Sequence, residues 1–465
     1  TPAASGATSS STASTTGETQ KQMSENEGVQ SAVGNVSAAE NYKDIKVDTK
    51  IKWMAWWDIQ EASPAVEVFK KLYGTPANKP KGYESVDDAN VFVNIKVTTY
   101  ADRYTGLAKL VQSDDSPDCF PFEICNYPYS VYQNLFQSLD GIIDFTTDDW
   151  ADYKDAIDKF NWGGKNYCPI MSLTPTSYLW YRKSVVEEAG LDDPWELYEK
   201  GEWTWKTFME MARKFSDPEN GKYVLDGYNP EDNFVCTTGT PLVSLEGGKL
   251  VSHMNDANIE KCLDMLRSFD NTQEKLRYPR DTENSWAPSY NEWADGNTLF
   301  FEDGSWRYEE TWRKFKKKNK WEDDEVNFVP FPQMDGADKY YQSMKQDSIM
   351  LVAGAKNIDG YKAWIYSNLV ASNDPEGREQ SKEEYDWSDT LLDRLDTMKD
   401  PKTFSGVFDF KNGIGQDIAT KDNQDNPVEQ LTKGPYMTGE SYTSFRATYQ
   451  GQIDARLAEL NKTVE

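Results

Sequence analysis

The sequence has little histidine, few cysteines and no long apolar run. His253 is its single histidine, so an ordinary zinc site or a Ser-His-Asp triad would depend on that one side chain. The five cysteines include no Cys-x-x-Cys pair; they are expected to be small core residues, with one disulfide left open. No window reaches the ~18 apolar residues of a membrane-spanning helix. The sequence therefore predicts no zinc site and no cofactor, and it leaves open whether the acidic surface binds calcium.

Basic residues are also scarce. Lys and Arg number 50 against 78 Asp and Glu, so the formal net charge at pH 7 is -28. Phosphate backbones are bound by clustered Lys and Arg, and so large an acidic excess argues against nucleic acid as a partner. A high charge of one sign mainly keeps an exposed protein soluble.

The first 41 residues contain no Leu, Ile, Phe, Tyr or Trp, and Ser, Thr, Ala and Gly dominate them. Such a segment buries too little apolar surface to offset the entropy of ordering it. Residues 1–44 are therefore predicted to be a flexible tether. The chain starts without Met and without an apolar signal region, which indicates a mature or trimmed form.

The remaining sequence alternates strand and helix patterns. Residues 51–57 and 91–97 are typical of strands, whereas 64–73 and 104–112 place apolar residues at helical spacing. A further helix is predicted over Trp205–Phe215. Strand–helix units of this length favour α/β architecture, with a doubly wound sheet covered on both faces.

Aromatic residues are abundant. They make up 13% of the chain, with 16 Trp and 26 Tyr. Flat aromatic faces cover the apolar C–H faces of sugar rings, while carboxylates and amides bind the hydroxyls. Trp and Tyr also build protein cores. The excess favours carbohydrate over amino acids or inorganic anions as a ligand.

Four short motifs occur in a characteristic order. They are LWYRK (179–183), VVEEAGL (185–191), WTWKTF (203–208) and LFFEDGSW (299–306). The last is an apolar strand that ends in a Gly-Ser turn and a single Trp. This order resembles the extracellular solute-binding proteins of bacterial ABC importers, in particular the sugar-binding family that includes the maltose-binding type. The resemblance extends over roughly residues 46–465.

The resemblance implies a two-lobed α/β fold of the periplasmic-binding-protein type. Each lobe would contain a doubly wound sheet, with a hinge between the lobes and the ligand in the cleft. Residues 45–172 and about 349–400 would form the first lobe, and residues 173–348 and about 401–465 the second. The predicted crossings between the lobes are 171–177, 347–350 and 373–402.

The function that the resemblance implies is a cell-surface receptor that delivers an oligosaccharide to the permease subunits of an ABC transporter. Contacts from both lobes would stabilise the closed form of the receptor. The protein is expected to be a monomer. It would be held at the extracellular face of the membrane by a lipid-modified cysteine before the tether, as in Gram-positive members; a periplasmic location is the alternative.

Ligand-binding residues are expected first at the carboxyl ends of the predicted strands, where ligands of doubly wound sheets collect. Trp56, Trp57 and Asp58 end the first strand. Tyr104 follows the second strand, with Tyr100 as the alternative.

The resemblance adds further candidates for ligand contact. In the sugar-binding family, the Trp that matches Trp306 stacks on the sugar, which makes Trp306 the strongest single candidate. The loop that contacts the ligand in that family matches Asn126 and Tyr127. Another ligand contact of the family falls near Tyr178. The remaining candidates are Trp286 before the last motif, Asp347 at the second crossing and Tyr442 in the final segment.

Two other functions stay open. A receptor of the same fold could bind a peptide or another non-sugar solute. A glycoside hydrolase or polysaccharide lyase would also be rich in Trp, and the many acidic residues could supply its carboxylate pair. Against an enzyme, the pattern shows neither eight βα units nor a β-sandwich, and no Gly-x-Ser-x-Gly elbow or phosphate loop occurs. A binding protein without catalytic activity is therefore expected.

Overall fold

The computed structural model describes residues 42, 44–59, 63–86, 91–97, 99–279, 288–372, 377–419 and 426–464. The predicted tether lies outside these residues, except for positions 42 and 44. Everything below concerns the described part of the chain.

The strands are β1 (Ile51–Ala55), β2 (Phe92–Lys96), β3 (Cys119–Pro121), β4 (Ser172–Pro175), β5 (Tyr178–Arg182), β6 (Tyr223–Gly227), β7 (Val243–Glu246), β8 (Lys249–Ser252), β9 (Thr298–Asp303), β10 (Val326–Val329), β11 (Tyr340–Asp347), β12 (Ile349–Leu351) and β13 (Phe404–Val407).

The helices are α1 (Pro64–Tyr73), α2 (Arg103–Gln112), α3 (Tyr129–Tyr132), α4 (Lys154–Lys159), α5 (Lys183–Glu188), α6 (Pro194–Glu199), α7 (Trp205–Phe215), α8 (Pro230–Cys236), α9 (Ala257–Leu266), α10 (Tyr290–Ala294), α11 (Arg313–Asn319), α12 (Ile358–Ser372), α13 (Gly377–Tyr385), α14 (Asp389–Lys399), α15 (Gln416–Ala419), α16 (Pro427–Thr438) and α17 (Tyr442–Asn461).

The first sheet has the strand order β12-β3-β1-β2. Strand β1 runs parallel to β2, with Ile51 opposite Phe92, and parallel to β3, with Trp53 opposite Cys119. Strand β12 joins β3 in the antiparallel sense. All five residues of β1 are buried, which is typical of a strand covered on both faces. The carboxyl ends of β1, β2 and β3 therefore meet at one edge of this sheet.

The second sheet has the order β10-β5-β9-β6. Strand β6 runs parallel to β9, whereas β5 is antiparallel to β9 and to β10. Gly227 pairs with Glu302, and Tyr178 pairs with Asp303. The carboxyl ends of β6 and β9 thus lie beside the amino end of β5.

A third sheet has the order β13-β11-β4, and its strands β4 and β11 lie in the chain between strands of the two large sheets. Strands β4 and β11 pair in the antiparallel sense, with Ser172 opposite Asp347 and Pro175 opposite Met344. Strand β4 precedes β5 of the second sheet, and β11 precedes β12 of the first. Strand β4 therefore lies within the first predicted crossing between lobes (171–177), and β11 ends at the first residue of the second (347–350).

The predicted α/β architecture is confirmed, although both large sheets are mixed rather than wholly parallel. Helix α14 differs from the expected grouping. Its buried side chains Leu391, Leu395 and Met398 join the apolar cluster of Trp180 and Phe328 on the second sheet, whereas residues up to about 400 were expected in the first lobe. The complete division of the chain into lobes remains a prediction.

Candidate ligand-binding site

At the carboxyl edge of the first sheet, Arg103 forms a two-point ion pair with Glu123. Its Nε donates to Oε2 at 2.7 Å and its Nη2 donates to Oε1 at 3.1 Å. The guanidinium lies 3.7 Å from the centroid of the Tyr100 ring, and the ring of Trp56 meets that tyrosine edge-on at 5.2 Å. A planar cation stacked on a ring and paired with a carboxylate is held in one orientation. We call Trp56, Tyr100, Arg103 and Glu123 the Arg103 cluster.

The arrangement leaves the aromatic side chains of this cluster partly accessible while it buries the cation. Arg103 is buried, whereas Trp56 and Tyr100 are half-buried. The Tyr100 hydroxyl donates to Glu123 at 2.7 Å. Burial, and next the charge of Glu123, raises the pKa of Tyr100 far above its usual value, so the hydroxyl stays protonated.

Trp57 and Asp58 continue the chain beyond Trp56, and both are half-buried. The rings of Trp56 and Trp57 lie 4.7 Å apart with their planes 79° from parallel. Trp53 fixes this turn, because its indole N–H donates to the Trp57 carbonyl at 3.1 Å. The turn therefore presents two differently oriented indole rings next to a carboxylate.

At the edge of the second sheet, Trp306 follows the Gly-Ser turn after β9 and is half-buried. Its ring packs against Gly304, where an added Cβ atom would overlap the six-membered ring. Glycine is therefore needed at position 304 for the indole to take this position.

Asp303 and Arg307, which flank the Gly304–Trp306 turn in the chain, form an ion pair. The Nε of Arg307 donates to Asp303 Oδ2 at 2.6 Å, and the Gly304 N–H donates to Oδ1 at 2.8 Å. The Arg307 guanidinium lies 4.3 Å from the centroid of the Tyr290 ring. Burial raises the pKa of Asp303 to about 7. We call Tyr290, Asp303, Trp306 and Arg307 the Arg307 cluster.

Glu302 holds the loop after β6 against this cluster. Its Oε2 accepts from the backbone N–H groups of Tyr228 and Asn229, at 2.8 and 3.0 Å, and its Oε1 accepts from Asn233 Nδ2 at 3.2 Å. The hydroxyl of Tyr228 is hydrogen-bonded to that of Tyr290. Glu302 thus serves as an anchor that joins the ends of β6 and β9.

Three of the predicted contact residues are core side chains. Tyr127 is 1% exposed, and its hydroxyl donates to the carbonyl of Phe160. Tyr178 is 1% exposed and stacks on Phe328 at 4.6 Å, beneath the Arg307 cluster. Tyr442 is 0% exposed and donates to the Met254 carbonyl at 2.8 Å. None of the three presents surface to a ligand in this conformation, because each ring is enclosed by packing.

Tyr104 and Asn126 are buried at the margin of the Arg103 cluster. The ring of Tyr104 lies 5.3 Å from that of Phe120, and the Arg103 guanidinium lies 5.1 Å from it. The Asn126 amide donates to the sulfur of Cys125 at 3.5 Å. Tyr104 therefore supports Arg103, and the partly accessible ring next to it is that of Tyr100.

The last two predicted residues lie elsewhere. Asp347 is exposed, and its carboxylate accepts from the Ser172 hydroxyl at 2.6 Å, which links the paired strands β4 and β11. Trp286 lies outside the described residues.

Sequence reasoning did not select most of the charged and tyrosine side chains that surround these tryptophans. The residues it missed are Arg103, Glu123, Tyr228, Tyr290 and Arg307. Two signals were present. Tyr228 directly follows the carboxyl end of β6, where ligands of α/β sheets collect. Arg307 stands four residues after Asp303, a spacing that brings opposite charges together in a helical turn.

The described residues contain no group of three or more His, Cys, Asp or Glu side chains that is arranged to hold a metal ion. The structure describes all five cysteines and shows no disulfide bond between them, and Cys125 alone among them is not buried. In the described part of the chain, no helix is both long enough and apolar enough to cross a membrane.

Several solved structures share this fold. An ABC substrate-binding protein of Listeria monocytogenes, in complex with cycloalternan, has 16% identity and a TM-score of 0.54 over 90% of this chain and 99% of that chain. The extracellular solute-binding protein of Staphylococcus aureus in complex with maltose has 14% identity and a TM-score of 0.57, covering 89% and 98%. The galacto-N-biose-/lacto-N-biose I-binding protein of Bifidobacterium longum, in complex with lacto-N-biose, has 13% identity and a TM-score of 0.57, covering 89% and 98%.

These similarities confirm the predicted two-lobed fold. No curated protein matches the sequence. The family model described as bacterial extracellular solute-binding protein matches residues 69–376, which is more than half of the chain. The resemblance carried by the four motifs is thereby confirmed, and the chain belongs to the bacterial extracellular solute-binding protein family.

Proposed function

We propose that this protein is a receptor that binds an oligosaccharide between its two lobes and delivers it to the permease of an ABC transporter. The observation that carries the proposal is the presence of two similar clusters at the edges of two separate sheets. The Arg103 cluster and the Arg307 cluster each combine an Arg–carboxylate ion pair, a tyrosine ring under the guanidinium and a half-buried tryptophan.

Sugar chemistry matches this combination. A pyranose ring offers an apolar face to an indole, while its hydroxyls need donors and acceptors in fixed positions. The tryptophans Trp56 and Trp306 provide the apolar faces. The ion pairs hold the carboxylates and guanidinium groups in place, so little ordering entropy is lost when a hydroxyl binds nearby.

The ligands of the similar structures support the same substrate class. The proteins from Listeria monocytogenes, Staphylococcus aureus and Bifidobacterium longum are in complex with cycloalternan, maltose and lacto-N-biose. All three ligands are glycans of two or more sugar units. Two aromatic clusters, one at the edge of each large sheet, suit a ligand that offers more than one sugar ring.

Closure of the cleft would be a hinge motion along β4 and β11. These strands pair between the two large sheets, with Ser172 bonded to Asp347 at 2.6 Å and Thr176 bonded to Ser343 at 2.8 Å. Such a pair of connecting strands lets the lobes rotate while the backbone ladder is kept. A ligand that contacts both clusters at once would stabilise the closed form.

The closed complex would then dock on the permease subunits as a monomer. The family is extracellular. We propose the outer face of the cell membrane as the location, through a lipid anchor before the Ser/Thr-rich tether, with the periplasm as the alternative. Both places expose the receptor to glycans outside the cell, and the protein would act as a binder without turnover.

The test is thermal unfolding of the protein with a panel of oligosaccharides, amino acids and short peptides. A ligand that binds only the folded state raises the melting temperature by mass action. We expect a rise with one glycan class and no cleavage of that glycan. A rise with peptides alone would replace the sugar with another solute, and cleavage products would show an enzyme.

A further inference from the structure

A small pocket lies beside the Arg307 cluster, between the end of β6, the start of α8 and helix α16. Its volume is about 50 Å³. Tyr228 forms part of its wall, and the hydroxyl of this residue is bonded to Tyr290 of the cluster. The pocket therefore adjoins the proposed sugar site without being part of either cluster.

Two buried polar atoms in the pocket lining have no hydrogen-bond partner among the described residues. They are Oε1 of Glu231 and Nε of Arg277. Glu231 is 1% exposed and Arg277 is 8% exposed, and both line the pocket. A buried acceptor and a buried donor without partners each lose the hydrogen bonds that water gives them in the unfolded chain, which costs stability. A ligand group that both donates and accepts would remove both costs.

The charges around the pocket favour a neutral group. Arg277 is paired with Asp270 through Nη2 at 3.0 Å, and Lys433 lies 3.7 Å from Glu429. The charged residues of the lining are Asp226, Glu231, Arg277 and Lys433, two acidic and two basic, and the charge of Lys433 also acts on Glu231. Burial raises the pKa of Glu231 above its usual range, which favours the uncharged carboxyl, while the charge of Lys433 acts in the opposite direction. An anionic or cationic ligand group would meet no excess of the opposite charge.

The volume of the pocket and the residues of its wall limit which neutral groups it can hold. A single water-sized group needs about 10–15 Å³, so this pocket holds roughly three to five such groups rather than one hydroxyl. Tyr436 and Met437 contribute apolar surface to the wall. An acetamido group has four non-hydrogen atoms, an N–H donor, a carbonyl acceptor and a methyl group.

We infer that this pocket binds the acetamido group of an N-acetylated amino sugar in the oligosaccharide. The amide N–H donates to Glu231, the carbonyl accepts from Arg277 Nε, and the methyl group contacts Met437. The inference rests on the proposed function and narrows its substrate class to glycans that contain N-acetylhexosamine. Glu231 and Arg277 are then the residues that determine specificity.

The test is calorimetric titration of the full chain with chitotriose and with cellotriose. The two trisaccharides share their linkage and differ in the group at carbon 2, which is acetamido in the first and hydroxyl in the second. We expect chitotriose to bind about 10- to 100-fold more tightly, as two hydrogen bonds from buried groups would give. Equal affinities, or tighter binding of cellotriose, would overturn the inference.

Variants at Glu231 separate the pocket from general stability. Glu231→Met removes the acceptor, and we expect chitotriose affinity to fall about 10-fold or more while cellotriose affinity stays within about 2-fold. Glu231→Gln keeps an amide oxygen and should retain most of the affinity for chitotriose. Asp118→Asn, a change of a buried carboxylate of the first sheet, is the control; it should lower the melting temperature and leave both affinities unchanged.

The outcomes distinguish this inference from the proposed function. Tight binding of a glycan that has no acetamido group, such as maltotriose, with no effect of Glu231→Met, would overturn the pocket assignment alone. Absence of binding to every glycan in the panel would overturn both.

Discussion

The indole ring of Trp306 and the backbone of Gly304 lie in direct contact, so that a side chain at position 304 would occupy the space of the ring. Gly304 does not adopt a positive φ, so the reason for glycine here is space and not backbone strain. The ring is thereby held in a half-buried position, next in the chain to the ion-paired residues Asp303 and Arg307. This relationship makes the orientation of Trp306 testable at a residue that touches no ligand itself.

Replacement of Trp306 by Ala should weaken binding of the cognate glycan by about 2 kcal/mol or more, roughly 30-fold, since a stacked Trp is typical of an energetic centre. The ring is half-buried, so the melting temperature should change little. Calorimetric titration measures the affinity, and Trp203→Phe, in the fully buried core, is the control. Unchanged affinity together with a lowered melting temperature would show that Trp306 serves packing only.

Replacement of Gly304 by Ala should displace the Trp306 ring, because the new methyl group takes its place. We expect a loss of glycan affinity in the same direction as for Trp306→Ala and a smaller one, about 5- to 10-fold. Tryptophan fluorescence with and without glycan reports the change. If Gly304→Ala binds as tightly as the parent protein, the contact between the two residues has no part in recognition.

Replacement of Glu123 by Gln should lower the free energy of unfolding by about 3 kcal/mol, because it leaves the buried Arg103 cation without its carboxylate. Urea unfolding measures the effect. Asp158→Asn is the matched control, since its pair with Lys154 is largely exposed and should contribute less than about 1 kcal/mol. Equal effects of the two variants would contradict the buried character of the Arg103–Glu123 pair.

The raised pKa of Asp303 predicts a pH dependence of stability. Between pH 3.8 and about 7 the folded protein keeps a proton on Asp303 that the unfolded chain releases. Rising pH in this window therefore favours unfolding, and the effect ends above about pH 7, where both states are ionised. The free energy of unfolding of the parent protein minus that of Asp303→Asn should therefore decrease as the pH rises through this window. If this difference instead increases with pH, folding lowers the pKa of Asp303 and does not raise it.

The cysteines predict a simple pattern of thiol reactivity. Burial raises the pKa of Cys119, Cys168, Cys236 and Cys262, so these thiols should stay protonated and inaccessible in the folded protein. Only Cys125 is not fully buried. A thiol reagent should label at most one cysteine in the folded protein and five after denaturation. Fewer than five in the denatured, unreduced protein would indicate a disulfide.

The sequence pattern predicted the bounds of two helices whose N-terminal cap residue directly precedes them in the chain. Helix α1 was predicted over the same residues that the structure shows, and Ser63 caps it by accepting from the Val66 N–H. Helix α7 also has its predicted bounds, with Thr204 accepting from the Thr207 N–H. These contacts span only three residues, which is why the sequence pattern contains them.

The sequence could not show which aromatic side chains stay accessible. Tyr127 and Trp306 both follow apolar strands, and both were predicted to contact the ligand. In the structure, however, Tyr127 is enclosed by Phe160 and Phe410, whereas Trp306 is half-buried. The difference arises from residues 33 and 283 positions away from Tyr127 along the chain, as the hydrogen bond to Phe160 and the ring contact with Phe410 show. Periodicity within one segment contains no information about such distant partners.

By itself, the sequence determined the α/β class, the family and the abundance of aromatic surface, since periodicity, motif order and composition are properties of the linear chain. The tertiary structure alone decided that Arg103 meets Glu123 and Tyr100, and that Glu231 and Arg277 come together in one pocket. These groups lie far apart in the chain or on different elements. Their chemistry depends on packing, which removes these groups from water and places them next to one another.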